Sequence, residues 1–291
     1  MADALGIIGL GRMGMTAAKK YVEAGYEVYG HDRREEAIEQ FTAFGGRHLG
    51  SCREVTEKSG KVIIYVLNDQ QVIDVVTGSD GILAGHHEDT GVICMSTIDR
   101  GNLEMIAQRC ADESVGFIDC PVTGGPQRIA PGTLTLIAAG AKAFLEECRR
   151  ILEVQGNIVY IGETPGLGQA VKHCNQLLVG TTQAATMEVI TLARKSGLDP
   201  KVVCDVVGSG VAGSDFFRII AASVLEEGTS IGGLGQMIKD VGLVINDGIR
   251  AKMPLLVASA AYQYFLSAQS LGMENADTSE LIKVIERMTQ R

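Results

Sequence analysis

Along the first half of the chain, short apolar runs alternate with longer stretches in which apolar residues recur every three or four positions. The runs are Leu5–Ile8, Glu27–His31, Lys61–Val66, Val92–Met95 and Gly116–Asp119, and Thr133–Ala138 and Asn157–Ile161 follow them. Short runs of this kind between turn residues predict strands. The intervening stretches Met13–Ala24, Glu35–Phe44 and Asn102–Asp112 carry the period of amphipathic helices. Strands alternating with helices predict a parallel sheet covered on both faces, since parallel neighbours need a crossover that a helix supplies.

From Gly166 onward the alternation fades and helical patterns follow one another, punctuated at Gly197–Pro200, Gly213–Asp215, Gly232–Gly233 and Met253–Pro254. Asp199 before Pro200 is a helix start, with the carboxylate as cap and proline at the first helical position. Gly168–Lys195 contains no proline, and at 1.5 Å per residue it predicts a helix roughly 40 Å long. Glu163–Gly166 breaks the last strand from that helix. The expected organisation is therefore α/β, with a doubly wound sheet over residues 1–163 and an all-α domain over residues 164–291, joined by a long helix.

Composition narrows the function classes. Hydrophobic residues make up 46% and charged residues 21%, ordinary globular usage. The net charge of −9 repels nucleic-acid backbones and anionic lipid, and the pairs Arg33–Arg34 and Arg149–Arg150 are too small to form a basic footprint. Nucleic acid and membrane are not expected as partners. Seven cysteines without a CxxC spacing predict buried thiols in a reducing compartment, and the adjacent side chains of His86–His87 point apart in an extended or turn segment, so a metal site would need ligands from elsewhere and no metal is expected. The apolar stretch Leu5–Leu10 is short and broken by glycine, unlike a signal peptide, and no run of 18 apolar residues occurs. A cytoplasmic location is the expectation.

Gly9-Leu10-Gly11-Arg12-Met13-Gly14 is a GxGxxG sequence that follows the first predicted strand and opens the first predicted helix. In that context the glycines permit a tight turn, close approach of backbone to a pyrophosphate, and close packing of helix on strand. Asp32 ends the second strand at the distance where an acidic residue binds the adenosine ribose. The motif predicts a Rossmann-type nucleotide site with Gly9, Leu10, Gly11, Arg12, Met13, Gly14 and Asp32 as cofactor residues. Asp32 favours NAD, while Arg33 and Arg34 leave NADP open, because either arginine could hold a 2′-phosphate.

Three further segments, Asp119–Gly125, Gly166–Gln176 and Lys239–Asp240, combine with the glycine motif in an order that resembles the β-hydroxyacid dehydrogenase family over nearly the whole chain. That family includes 3-hydroxyisobutyrate and threonate dehydrogenases, tartronate semialdehyde and sulfolactaldehyde reductases, and the larger 6-phosphogluconate dehydrogenase. The resemblance implies hydride transfer between NAD(H) and a small anionic 3-hydroxy acid or its semialdehyde, in a homodimer or homotetramer. A tartronate semialdehyde or sulfolactaldehyde type of reductase is the alternative enzyme, and a non-catalytic dinucleotide-binding scaffold is the alternative from another class.

The resemblance makes Lys172 the general acid/base. Asn175 and Gln176, at i+3 and i+4, share its helix face, and a lysine near a helix start has its ammonium disfavoured by the dipole. Ser96, Thr123, Gly124, Gly125, Asn175 and Gln176 are implied at the substrate. Arg33, Leu67, Asn68, Thr97 and Lys239 are implied at the cofactor. Arg100 stands where the family commonly has proline, which marks the turn after Thr97 as a departure.

Overall fold

The computed structural model describes residues 3–226 and 232–289. The chain divides into two compact units, Met1–Lys172 and His173–Arg291.

The first unit is built on a nine-stranded sheet. Its strands are β1 (Ala4–Ile8), β2 (Glu27–His31), β3 (Arg47–His48), β4 (Lys61–Ile64), β5 (Gly91–Cys94), β6 (Gly116–Asp119), β7 (Val122–Thr123), β8 (Leu134–Ala139) and β9 (Gly156–Gly162). They lie in the order β3-β2-β1-β4-β5-β6-β8-β7, with β9 also on β8. From β3 to β6 every pairing is parallel. β8 instead runs antiparallel to β6 and β7, a reversal the alternation did not predict. The segment leading into β8 holds Pro121, Gly124, Gly125, Pro126, Pro131 and Gly132, so it cannot form a crossover helix and the chain turns back.

Side chains alternate across each strand, so neighbouring residues serve opposite faces. Leu5, Ile7, Ile63, Ile93 and Leu136 enter one core and Ile8, Val62, Ile64, Val92 and Cys94 the other. Helices α1 (Arg12–Glu23), α2 (Glu35–Ala43), α3 (Cys52–Lys58), α4 (Asp69–Thr77), α5 (Arg100–Asp112) and α6 (Lys142–Glu153) cover these faces. Tyr21 of α1, Phe41 of α2 and Leu152 of α6 pack on the first core, while Val55 of α3, Val72 of α4 and Ile106 of α5 pack on the second. Each fully buried side chain of this size contributes about 1.5 to 3 kcal/mol. The result is a doubly wound Rossmann-type domain with its strand ends gathered along one edge.

The long helix is α7 (Leu167–Lys195), 29 residues. In the second unit it is followed by α8 (Pro200–Ser209), α9 (Asp215–Leu225), α10 (Leu234–Arg250), α11 (Leu256–Ser270) and α12 (Ile282–Thr289). Asp199 caps α8 by accepting from Lys201 N, and Ser214 caps α9 by accepting from Phe217 N. Met187, Ile190, Phe217, Ile220, Val241, Phe265 and Leu281 form the helical core. Gly180 allows α7 and α10 to approach, since a Cβ there would lie 2.6 Å from Val241 Cγ2.

Six of the seven cysteines are buried as expected, but Cys174 is exposed, because it falls on the outward face of α7. No helix among the described residues is long and apolar enough to cross a membrane.

Candidate active site

β1 ends at Ile8 and the glycine turn carries the chain into α1. A Cβ on Gly14 would lie 1.9 Å from Gly9 O, so this glycine is fixed by the contact between helix start and strand end. A Cβ on Gly11 would meet nothing within 4 Å. Gly11 is also the N-cap of α1 and supplies no side-chain cap, which leaves the first amides of a twelve-residue helix directed at open space. That is a cradle for a phosphate. Leu10 is buried, whereas the Arg12 side chain is exposed beside the turn and Met13 is half-buried. A cleft of about 860 Å³ beside it is lined by Gly9, Gly11, Asp32, Arg33, Arg34 and Leu67, among others. These residues fit a dinucleotide.

Asp32, just beyond β2, is saturated with donors. Its Oδ2 accepts from Leu10 N at 2.7 Å and Arg34 Nη2 at 2.9 Å, and its Oδ1 accepts from Arg34 N and Nε, both at 3.0 Å. Burial raises the carboxyl, but these hydrogen bonds and the Arg34 charge outweigh it and hold Asp32 at about 2. Arg33, in contrast, is exposed. Sequence reasoning missed the Asp32–Arg34 pair, which partly neutralises the carboxylate meant to discriminate between cofactors. Asp32→Ala should therefore lower the NAD-to-NADP ratio of kcat/KM by tenfold or more, and Arg34→Ala should raise it. Identical ratios in the native chain and Asp32→Ala would exclude Asp32 as the discriminating residue.

The ends of β4 and β5 are tied together. Ser96 is buried and its Oγ donates to Val66 O at 2.7 Å. Asp69 Oδ1 accepts from Asp99 N and Asn102 Nδ2 at 2.8 and 2.9 Å. Ser96, expected to present a hydroxyl to substrate, instead spends it on the neighbouring strand end, because its side chain points inward from β5. Asn68 caps α4 by accepting from Gln71 N at 3.0 Å. Leu67 is exposed in the cleft, and Thr97 is half-buried at the tip of its loop. Arg100, at the position of the departure, opens α5 and pairs with Glu104 at 2.9 Å.

Past β6 and β7, Gly124 and Gly125 have φ of 127° and 72°, conformations that side chains disfavour. The turn they make leaves Thr123 half-buried. Asp119, the last residue of β6, is fully buried beneath the first turn of α7. Burial pushes its carboxyl up to about 6 despite donors from Gln169, Gly166 and Gly168, and these N–H partners are those a carboxylate accepts from. Lys172 is buried on α7, three residues beyond Gln169.

The second unit holds the other sequence-predicted residues. Asn175 Nδ2 donates to Gln176 Oε1 at 2.9 Å, and Gln176 Nε2 donates to Asp240 Oδ2 at 2.7 Å. Gln176 is buried and so supports Asn175 rather than presenting its own amide. Lys239 Nζ lies 2.9 Å from Asp240 Oδ1, an ion pair without hydrogen-bond geometry. His173, which the sequence did not single out, is buried with Nδ1 2.5 Å from Asp247 Oδ2.

Residues 4–162 match the family described as the NAD binding domain of 6-phosphogluconate dehydrogenase, and residues 166–285 match the NAD-binding domain of NADP-dependent 3-hydroxyisobutyrate dehydrogenase. The chain belongs to the β-hydroxyacid dehydrogenase family. As a family member it is an NAD(P)-linked oxidoreductase acting on the CH–OH group of hydroxy acids. It is 31% identical to L-threonate dehydrogenase of Cupriavidus necator over 98% of this chain and 96% of that protein. It is 30% identical to 2-(hydroxymethyl)glutarate dehydrogenase of Eubacterium barkeri over 98% and 95%. The crystal structure of 3-hydroxyisobutyrate dehydrogenase from Salmonella typhimurium superposes with a TM-score of 0.88 at 32% identity, covering 97% of this chain and 99% of that one. Relatives named for three different hydroxy acids thus stand at nearly equal distance from this family member, so overall similarity does not select its substrate.

Proposed function

We propose that this dehydrogenase interconverts a small 3-hydroxy acid and its carbonyl form, with Lys172 as the acid/base residue. The observation that carries this reading is the placement of a buried lysine on α7 in the family's motif, three residues beyond a glutamine bonded to the loop that follows β5. NAD(P), when bound, supplies the hydride acceptor or donor. The first amides of α1 would hold its pyrophosphate, with Asp32 at the ribose, Thr97 toward the nicotinamide half, and Leu67 in the loop that approaches the cofactor. In oxidation the neutral Lys172 Nζ takes the hydroxyl proton as hydride leaves the carbon, and in reduction the ammonium returns a proton to the carbonyl oxygen. Thr123 Oγ1 and the amides of Gly124 and Gly125 grip the acid group, a role supported by the positive φ of two glycines whose missing side chains leave the backbone open to approach, and Asn175, three residues beyond Lys172 on α7, is a further substrate-contact residue.

The test is a panel of C3 and C4 hydroxy acids and their uncharged alcohol analogues, assayed with both cofactors. The best acid should exceed its alcohol analogue at least tenfold in kcat/KM, since a hydrogen bond to a charged group is worth about 1.5 to 3 kcal/mol. No turnover of any acid, or equal turnover of the alcohols, would overturn the assignment.

Seven unpaired thiols suit a reducing, cytoplasmic setting. Ile249, Met253, Leu256 and Val257 are 60 to 77% exposed between α10 and α11, an apolar surface suited to a homodimer or homotetramer. A monomer mass by light scattering at assay concentration would exclude the oligomer.

A further inference from the structure

Gln169 is fully buried and uses both ends of its amide. Its Oε1 accepts from Ile98 N at 3.1 Å. Its Nε2 donates to Ser96 O at 3.1 Å and to Asp119 Oδ1 at 2.9 Å. Asp119 Oδ2 in turn accepts from Gly166 N at 2.9 Å and Gln169 N at 3.1 Å. A Cβ on Gly168 would lie 2.8 Å from that oxygen, so the first turn of α7 is seated directly on the carboxylate. Three elements distant in sequence, the loop after β5, the end of β6 and the start of α7, therefore meet on two side chains, all within the first unit.

We infer that Asp119 and Gln169 are positioning residues that hold Lys172 in register with the Ser96–Ile98 loop. The inference rests on the acid/base reading of Lys172. Lys172 follows Gln169 by three residues, so the two lie one above the other on α7 about 4.5 Å apart along its axis. A helix start is free to slide or fray by an ångström unless its orphan amides are fixed. Here a carboxylate fixes them at the positive end of the helix, where its charge is favoured. The same carboxylate orients the glutamine that grips the loop. Neither side chain reaches solvent, and the hydrogen bonds of both run to the loop after β5 and to the first turn of α7, so the pair acts through Lys172 and does not touch substrate itself.

A double-mutant cycle distinguishes this from general structural support. Gln169→Met keeps the length of the side chain and removes its hydrogen bonds. In the native background it should lower kcat about 10- to 100-fold, the effect of misplacing a catalytic group by about 1 Å, while KM for the best hydroxy acid changes less than threefold. In the Lys172→Ala background the same substitution should lower kcat less than threefold, because there is no longer a base to position. Asp119→Asn, whose Nδ2 cannot accept from the α7 amides, is carried through the same cycle and serves alone if Gln169→Met does not fold. A loss of kcat equal in both backgrounds, or native kcat in both variants, overturns the inference. Lys172→Ala retaining native kcat would instead overturn the acid/base reading, a separate result.

Discussion

Lys172→Ala should lose about 100- to 10,000-fold in kcat, the range that general acid/base transfer contributes, while the dissociation constant for NADH changes less than threefold. The reasoning is positional. Lys172 stands in the first unit on a helix seated on Asp119, whereas the phosphate cradle is formed by the turn between β1 and α1, so the two functions separate by mutation. Lys172→Arg should not restore activity, because a guanidinium does not give up its proton. A small primary amine added to the Lys172→Ala protein should restore part of the rate, and more of it at a pH where the amine is neutral. The decisive measurement is kcat with the best hydroxy acid under conditions where a substrate deuterium isotope effect shows that hydride transfer limits the rate. Retention of more than a tenth of native kcat under those conditions would remove Lys172 from the proton-transfer role.

Gly11→Ala and Gly14→Ala should fail in opposite ways, although both alter the same six-residue turn. The space in front of Gly11 is open and its φ of −74° and ψ of −171° suit alanine, so this variant should melt within a few degrees of the native chain. It should nevertheless bind NADH about 10- to 100-fold more weakly, since the added methyl stands where a phosphate must approach the α1 amides, and each charged hydrogen bond lost costs about 1.5 to 3 kcal/mol. At Gly14 the new Cβ would overlap a backbone carbonyl oxygen of Gly9. Relief requires α1 to move away from β1, and overpacking of this kind costs about 1 to 3 kcal/mol or more, seen as a fall of several degrees in Tm. Titration of NADH fluorescence with thermal melting of each variant checks both. Native NADH affinity in Gly11→Ala would mean that the turn does not hold the cofactor.

The alternation of apolar runs and amphipathic stretches determined most of the architecture without help from tertiary contacts. Strand positions, the start of α8 at Asp199–Pro200 and the long α7 are written in local chemistry: side-chain period, caps and the absence of proline. The glycine motif was legible because its spacing and its place between a strand and a helix are local, although the contact that fixes Gly9 comes from Tyr65 and Gly11 faces open space. The two-residue strands β3 and β7 were not legible, since so short a run has no period to detect. The position of β8 was predicted but its antiparallel direction was missed, although the prolines and glycines ahead of it were in view.

The site divides along the same line. Residue type and spacing marked Asp32, and the family resemblance marked Thr123–Gly125, Lys172 and Asn175, but only the folded chain showed what their neighbours do. Ser96 faces inward to Val66, Gln176 braces Asn175 from beneath, Arg34 occupies Asp32, and Asp119 lies under a helix that begins 48 residues later. Asp119 was visible as the last residue of a strand, and nothing in its local sequence separates a carboxylate facing solvent from one buried under a helix start. Sequence by itself determined the elements and the chemical inventory, because propensity, capping and periodicity act over a few residues. Tertiary structure decided which of those groups are free to meet substrate and which are spent holding the others, because that depends on burial and on hydrogen bonds between residues far apart in the chain.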